Sequence, residues 1–378
     1  MHRPTPPALN HLADRVRAAA AHATPLSIQG GGSKLFYGNP VDGEPLDMRP
    51  LAGIVDYEPS ELVVTAWAGT PLAELEAALH DHGQCLPFEP PHFGPGATLG
   101  GMVAAGLSGP GRASVGAVRD YVLGAQLLNG RAEVLDFGGQ VMKNVAGYDV
   151  SRLLAGSLGT LGAITRVSLK VLPMPPAEAT LKFSCDQDTA LEMLHAWGGQ
   201  PLPLNASCWV QEDPADAASG SLYLRLRGAV AAVQSACARL GGERIVQDQA
   251  DRDWAACRDQ RLPWFTDRET DQDLWRLSVP QTAPVLCGGL PGAVGPLIEW
   301  MGGQRWYRLA AGEVLAAGEL RAAALAAGGH ATLFRAARAD AAGRFAPLTS
   351  PLDRIHAALR QQFDPAGIFN RGRLQPVP

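Results

Sequence analysis

The stretch Gln29-Gly30-Gly31-Gly32-Ser33-Lys34 has residue types and spacing suited to chemistry, and it directly follows a β-like run, Pro25–Gln29. Consecutive glycines carry no Cβ, so the backbone can turn through positive φ and set several N–H groups against one anion. Ser33 adds a hydroxyl donor. A pyrophosphate needs such a cradle, although an ordinary glycine turn has the same composition. Two other phosphate motifs do not fit. A Walker A loop needs Gly-Lys-Ser/Thr after an earlier glycine, which is missing here. A dinucleotide fingerprint needs spaced glycines that open a helix, whereas these are contiguous and run into Leu35-Phe36-Tyr37-Gly38.

Two more small-residue stretches follow. Gly94-Pro95-Gly96-Ala97-Thr98-Leu99-Gly100-Gly101-Met102-Val103-Ala104-Ala105-Gly106-Leu107-Ser108-Gly109 would stabilise neither a plain helix nor a plain strand. Its economy of side chain suits a large flat ligand lying against the backbone. The third is Lys143-Asn144-Val145-Ala146-Gly147-Tyr148-Asp149, then Gly156-Ser157-Leu158-Gly159-Thr160-Leu161-Gly162-Ala163-Ile164-Thr165, where a small-residue loop enters a strand.

The elements that must position these loops are readable in outline. Strand-like runs are Pro25–Gln29, Leu62–Ala68, Tyr121–Leu128 and Ile164–Leu172 in the glycine-rich first zone. A helix is expected after Thr70 as N-cap and Pro71 as first residue, with Leu72, Leu75 and Leu79 at helical spacing and Gly83 at its C-terminal end. Leu172-Pro173-Met174-Pro175-Pro176 reads as a linker. Beyond it, Ser221–Arg227 alternates with period two and Ala229–Leu240 reads as a helix; Leu274–Val279, Trp306–Ala310 and Ala331–Arg335 are short strands, and Pro351–Phe363 is a last helix. Mixed strands and helices of this kind define an α+β protein.

Composition removes several functions. The 378 residues suggest two domains; 46% are hydrophobic and 18% charged, so a packed core is available. A net charge of −5 and a pI near 6.0, without a basic run, argue against nucleic acid. The six cysteines come no closer than twenty residues, Cys237 to Cys257, so no zinc or iron–sulfur spacing exists and free thiols in a reducing cytosol are expected. The N-terminus reads as no signal peptide and no run of about eighteen apolar residues occurs, so a cytoplasmic protein without a direct membrane span is expected. His80 and His82 face different sides of their helix, which argues against chelation. Trp254, Trp264, Trp275, Trp300 and Trp306 read as packing residues.

The order and spacing of the three glycine stretches resemble the FAD-binding domain of the vanillyl-alcohol-oxidase (PCMH-type) family across residues 20–175. Phe363-Asp364-Pro365-Ala366-Gly367-Ile368-Phe369-Asn370-Arg371-Gly372-Arg373 resembles that family's closing motif. Within the family, Val141-Met142-Lys143-Asn144-Val145-Ala146-Gly147-Tyr148-Asp149 and Ala155–Gly162 are similar to the E-type subunits of bacterial glycolate oxidases. The resemblance implies a two-subdomain FAD-binding domain from residues 1–175, a smaller α/β cap from 176–349, and a C-terminal segment, 350–378, returning to the FAD domain. FAD would lie extended between the two subdomains. Gly30, Gly31, Gly32 and Ser33 would cradle the pyrophosphate. Thr98, Leu99, Gly100 and Gly101, with Ser108 and Gly109, would follow the pyrophosphate and ribityl chain. Gly159, Gly162 and Ile164 would meet the adenosine end, and Asn370 would approach the flavin. The slot where relatives carry a tethering His reads Gly32-Ser33 here, so FAD is expected to be non-covalent.

Oxidising a 2-hydroxy acid also needs a cation for the carboxylate and a base for the hydroxyl proton. The related D-type and D-lactate enzymes supply a His-rich Gly-Asp-Gly-Asn-type motif near the last cap strand. At the corresponding place this chain has Gly328-Gly329-His330-Ala331-Thr332-Leu333-Phe334-Arg335, with one His and no acid. His330, Arg335 and Arg276 remain as catalytic candidates, against a structural histidine and solvated strand-edge arginines. The resemblance thus implies an FAD-binding subunit of a glycolate-oxidising complex, with a D-type flavin subunit and an F-type iron–sulfur subunit as partners and contact with the inner membrane only through them. A self-sufficient 2-hydroxy-acid dehydrogenase and a non-catalytic scaffold subunit are the alternatives. A Gly31→Asp change is expected to expel the flavin by setting a carboxylate against the pyrophosphate.

Overall fold

A computed structural model describes residues 6–139, 148–212, 219–287, 290–338 and 343–375. The run Val141 to Gly147 of the third glycine stretch lies outside the described residues. The chain forms two compact units: one from residues 1–107, 117–174 and 347–378, the other from 108–116 and 175–346.

The first unit opens with the helix Pro7–His22, which buries Leu9, Leu12, Val16 and Ala19. That spacing is one face of a helix. Ala23 ends it in the left-handed conformation, its N–H reaching the Ala19 and Ala20 carbonyls. The buried face packs with Leu26, Leu46, Met48, Ile368 and Phe369, tying the chain's two ends into one apolar cluster. Strands β1 (Leu26–Gln29) and β2 (Glu44–Asp47) pair in parallel beneath it.

Strands β3 (Ile54–Glu58), β4 (Val63–Trp67), β6 (Val122–Leu128), β7 (Val134–Gly138) and β8 (Ala163–Lys170) form an antiparallel sheet in the order β3-β4-β8-β6-β7; β5 (Gln84–Cys85) pairs with β9 (Leu172–Pro173). The helix Leu72–His80 closes the core through fully buried Leu72, Leu75 and Leu79. Truncating Leu75 to Ala would cost about 2–5 kcal/mol.

The start of that helix differs from expectation. Pro71 is the N-cap and no side chain caps the helix. Thr70 instead donates its hydroxyl to the Trp67 carbonyl (2.6 Å) and accepts the Gly53 amide (3.0 Å). Its hydroxyl is spent on closing the turn after β4, where it gives the Gly53 amide its partner. Gly83 does adopt a positive φ of 65°, but two residues beyond the C-cap Asp81.

The second unit is an eight-stranded sheet in which every pairing is antiparallel. Its strands are β10 (Ala177–Ser184), β11 (Leu204–Gln211), β12 (Gly220–Gly228), β13 (Glu243–Ile245), β14 (Gln272–Ser278), β15 (Ala293–Glu299), β16 (Gln304–Ala310) and β17 (His330–Arg335). Their order is β13-β10-β12-β11-β15-β16-β14-β17. Strands and helices alternate along this part of the sequence, yet no helix here links two parallel strands.

Period-two alternation separates the faces of this sheet. Leu222, Leu224, Leu226, Leu181, Trp209 and Ile298 meet the helices Gln187–Gly198 and Val230–Leu240. Trp275, Leu277, Leu309 and Leu333 meet the helix Val314–Ala326. The opposite face carries polar groups, among them Tyr223, Arg225, Cys208, Glu299, Gln304 and Arg276. Among the described residues, no helix is long and apolar enough to cross a membrane.

Candidate functional site

A cleft in the first unit gathers most of the glycine residues singled out by sequence. Gly30, Gly31, Gly32, Ser33, Thr98, Gly100, Gly101, Gly159, Ile164 and Asn370 all line it.

Close backbone approach explains the glycines. A Cβ on Gly31 would stand 1.5 Å from the Gly96 carbonyl oxygen, and one on Gly30 would stand 2.3 Å from the Thr98 hydroxyl. The Gly30–Lys34 loop therefore lies directly on the loop 94–98. Thr98 caps the short helix Leu99–Ala105, its hydroxyl accepting the Gly101 amide at 3.3 Å. Gly100 approaches Ala68 closely enough that a Cβ would lie 2.6 Å from the alanine Cβ. This closeness corrects the expected effect of Gly31→Asp: its side chain would first displace the loop at Gly96, before any charge reached a ligand.

No acceptor among the described residues takes the amides of Gly30, Gly31, Gly32 or Ser33. Four successive amide donors left open at the mouth of a cleft fit a diphosphate, so the residues present suit a dinucleotide cofactor. Lys34, the next residue, also lines the cleft; its ammonium donates to the His92 carbonyl (3.2 Å) and lies 5.7 Å from the centre of the Phe93 ring.

The C-terminal segment holds the cleft in shape. Asn370 Oδ1 accepts the Ile28 amide at 2.8 Å and its Nδ2 donates to the Leu158 carbonyl at 2.6 Å. Gly159, at φ +72°, sits so close that a Cβ would be 2.6 Å from Asn370 Nδ2. Both polar atoms of Asn370 are thus engaged with protein. Arg373, which the sequence reading missed as a site residue, also lines the cleft and donates to the Leu35 carbonyl (2.8 Å) and the Asn39 carbonyl (3.1 Å). Its position inside the quoted closing motif was the available signal. Val41, Met48 and Ala68 also line the cleft and carried no local signal.

Four expected residues lie elsewhere. Leu99 is 1% exposed and belongs to the core, where its apolar side chain is buried among Val64, Leu72 and Val103. Gly162, at φ +140°, packs against the Leu128 carbonyl instead of lining the cleft. Ser108 and Gly109 are not among the lining residues and group with the second unit, where the Gly109 carbonyl accepts the Trp300 indole N–H at 3.0 Å.

The three catalytic candidates share the polar face of the second unit's sheet. Arg276 pairs with Thr332 and Ser278 with His330, so Arg276 and His330 are diagonal neighbours on adjacent strands. A bulge after Leu274 pairs that residue with Arg335, turning Arg335 towards the same face. Arg335 donates to Gln260 Oε1 at 3.0 Å, and burial followed by the nearby Arg268 pushes its guanidinium down to about 10. Desolvation, then the charges of Arg276 and Arg112, hold His330 below the usual imidazole range. The His330 side chain nonetheless reaches solvent. Arg112, stacked over the Trp300 ring at 4.5 Å, is a second residue the sequence reading missed. Among the described residues, no group of three or more His, Cys, Asp or Glu side chains could hold a metal ion.

Comparison with known proteins assigns this architecture to a class. The family model "FAD binding domain" matches residues 5–138, and the alkyldihydroxyacetonephosphate synthase structure shares the fold, with a TM-score of 0.67 at 16% identity over 96% of this chain and 74% of that one. The protein is an FAD-binding flavoprotein of α+β fold. It is 46% identical to glycolate oxidase subunit GlcE of Escherichia coli (strain K12), over 96% of each chain. The chain belongs to the glycolate oxidase subunit GlcE family. It is also 30% identical to glycolate oxidase subunit GlcD of Bacillus subtilis (strain 168), over 42% of this chain and 34% of that one.

Proposed function

We propose that this chain is the FAD-binding subunit of a glycolate oxidase complex that oxidises glycolate, a small 2-hydroxy acid, to glyoxylate. The observation that carries the reading is 46% identity to a glycolate oxidase subunit along nearly the whole length of both chains. When bound, FAD supplies the two-electron acceptor. The chain's own residues do the holding. The amides of Gly30 to Ser33 cradle the diphosphate; Thr98, Gly100 and Gly101 follow it towards the ribityl chain; Gly159 and Ile164 border the adenosine end. Asn370 acts by fixing Ile28 and Leu158 around the cofactor. FAD is held non-covalently, because Gly32 and Ser33 offer no tethering side chain.

The domain division proposed with this function is an FAD domain from residues 1–175, a cap from 176–349 and a returning segment from 350–378. A D-type flavin subunit and an F-type iron–sulfur subunit are the proposed partners. The complex works in the cytoplasm and touches the inner membrane only through those partners. The D-type subunit carries the main oxidation, since this chain supplies a single histidine where the D-type motif has more. Arg276 is proposed to present its charge to the carboxylate of the 2-hydroxy acid, with the neutral imidazole of His330 beside it.

Native affinity purification tests the assignment. Two partner chains and a visible flavin spectrum that bleaches anaerobically with glycolate are expected. A chain that purifies alone and bleaches fully with glycolate or D-lactate would favour the self-sufficient dehydrogenase, and a chain without flavin would favour the scaffold.

A further inference from the structure

The second unit contains a cleft that the proposed function does not use. It lies on the polar face of the sheet, between Cys208, Tyr223 and Leu297 on one side and the helix Gln247–Arg258 with the turn Leu262–Trp264 on the other. Its volume is about 290 Å³, and it is partly open to solvent. A cavity of about 150 Å³ in an apolar protein core holds one benzene, so this cleft has room for two fused rings.

The walls select what enters. Trp254, Trp264, Leu262, Leu297 and Val210 supply apolar surface. Polar groups along the walls already have partners. The Trp254 indole N–H donates to the Thr180 hydroxyl at 2.9 Å. The Cys257 thiol donates to Glu299 Oε1 at 3.1 Å. Asp253 Oδ1 accepts from Gln249 Nε2 at 2.7 Å. An anionic guest would lose water and meet the Asp253 carboxylate, whereas a flat apolar guest gains burial and ring contact.

The indoles are also held in place before any ligand arrives. The Arg225 guanidinium lies 4.9 Å from the Trp254 ring centre, and Arg308 lies 5.0 Å from that of Trp264. Trp264 further meets Phe265 edge to face at 5.0 Å. Fixed walls spare a ligand the cost of ordering them. We infer that this cleft binds a neutral, planar, two-ring aromatic molecule, at a site separate from the glycine-lined cleft of the first unit.

Titration calorimetry of the full-length, flavin-loaded chain with indole as probe tests the inference, with succinate as the polar control. Saturable binding of indole at one site per chain is expected, with none for succinate. Val210→Phe fills the cleft from strand β11 and Leu262→Trp fills it from the facing turn. Either variant should weaken indole binding at least about tenfold while leaving bound flavin unchanged. If one variant fails to fold, the other decides. No saturable indole binding to the wild type, or unchanged affinity in a folded variant, overturns the inference.

Discussion

Asn370 Oδ1 accepts the backbone amide of Ile28 at 2.8 Å, joining residues 342 positions apart. Its other amide atom holds the Leu158 carbonyl, so one side chain links the end of β1, the loop before β8 and the C-terminal segment. Asn370→Ala leaves a part-buried N–H and a buried carbonyl without partners, at a cost of about 1–3 kcal/mol. The expected result is a lower melting temperature and weaker FAD retention together, measured by thermal unfolding and flavin content. A variant with unchanged stability and flavin would show that the cleft does not depend on this link.

Arg373 holds the far side of the glycine loop through the Leu35 and Asn39 carbonyls. Lysine keeps the charge but has no fork to span two acceptors. Arg373→Lys should therefore weaken FAD affinity about tenfold, about 1.4 kcal/mol, in a cofactor titration of the apoprotein. An equal affinity would place the charge, not the geometry, in control.

Asp364 gives a pH-dependent effect. Desolvation raises its carboxyl above the ordinary range, against the opposing amides of Phe369, Ile368 and Gly367, and Oδ1 has no partner. The folded state thus holds a proton that the unfolded state has lost, and stability falls as pH rises from the unfolded value towards the raised one. Asp364→Asn keeps an acceptor for the Phe369 amide, now bonded by Oδ2 at 2.8 Å, without the charge. Chemical unfolding across this acidic window should show a flatter pH profile for the variant, and greater stability at neutral pH. A profile parallel to the wild type would remove Asp364 as its source.

Non-covalent attachment predicts that acid precipitation of the purified chain leaves its flavin in the supernatant. Yellow colour remaining with the pellet would mean a covalent tether at a residue other than Gly32 or Ser33.

Local features were legible in the sequence where backbone demands were local. Gly30 and Gly31 stand where another loop leaves no room for a Cβ, and contiguous glycines advertise that without knowledge of the partner. The polar alternation of Ser221–Arg227 likewise fixed which side chains face the helices. Residues whose roles come from distant segments were less readable. Thr70 looked like a cap because capping is judged from neighbours in sequence, while its true partners include Gly53 across a turn. Ser108 and Gly109 share the small-residue character of their neighbours, yet the Trp300 indole claims the Gly109 carbonyl for the other unit. Val41 and Met48 line the cleft only because β1 and β2 pair in parallel, a long-range choice that no short motif records.

The central claim is that the cleft at Gly31 holds the FAD. Its most direct test is the ratio of FAD to protein released on denaturing the purified wild type, Gly31→Ala, and Gly198→Ala as a control whose Cβ meets only open space. The account predicts about one FAD per chain for the wild type and the control, and near none for Gly31→Ala, whose methyl group would lie 1.5 Å from the Gly96 carbonyl oxygen. Full flavin occupancy in a folded Gly31→Ala chain, or no flavin in the wild type, would contradict it.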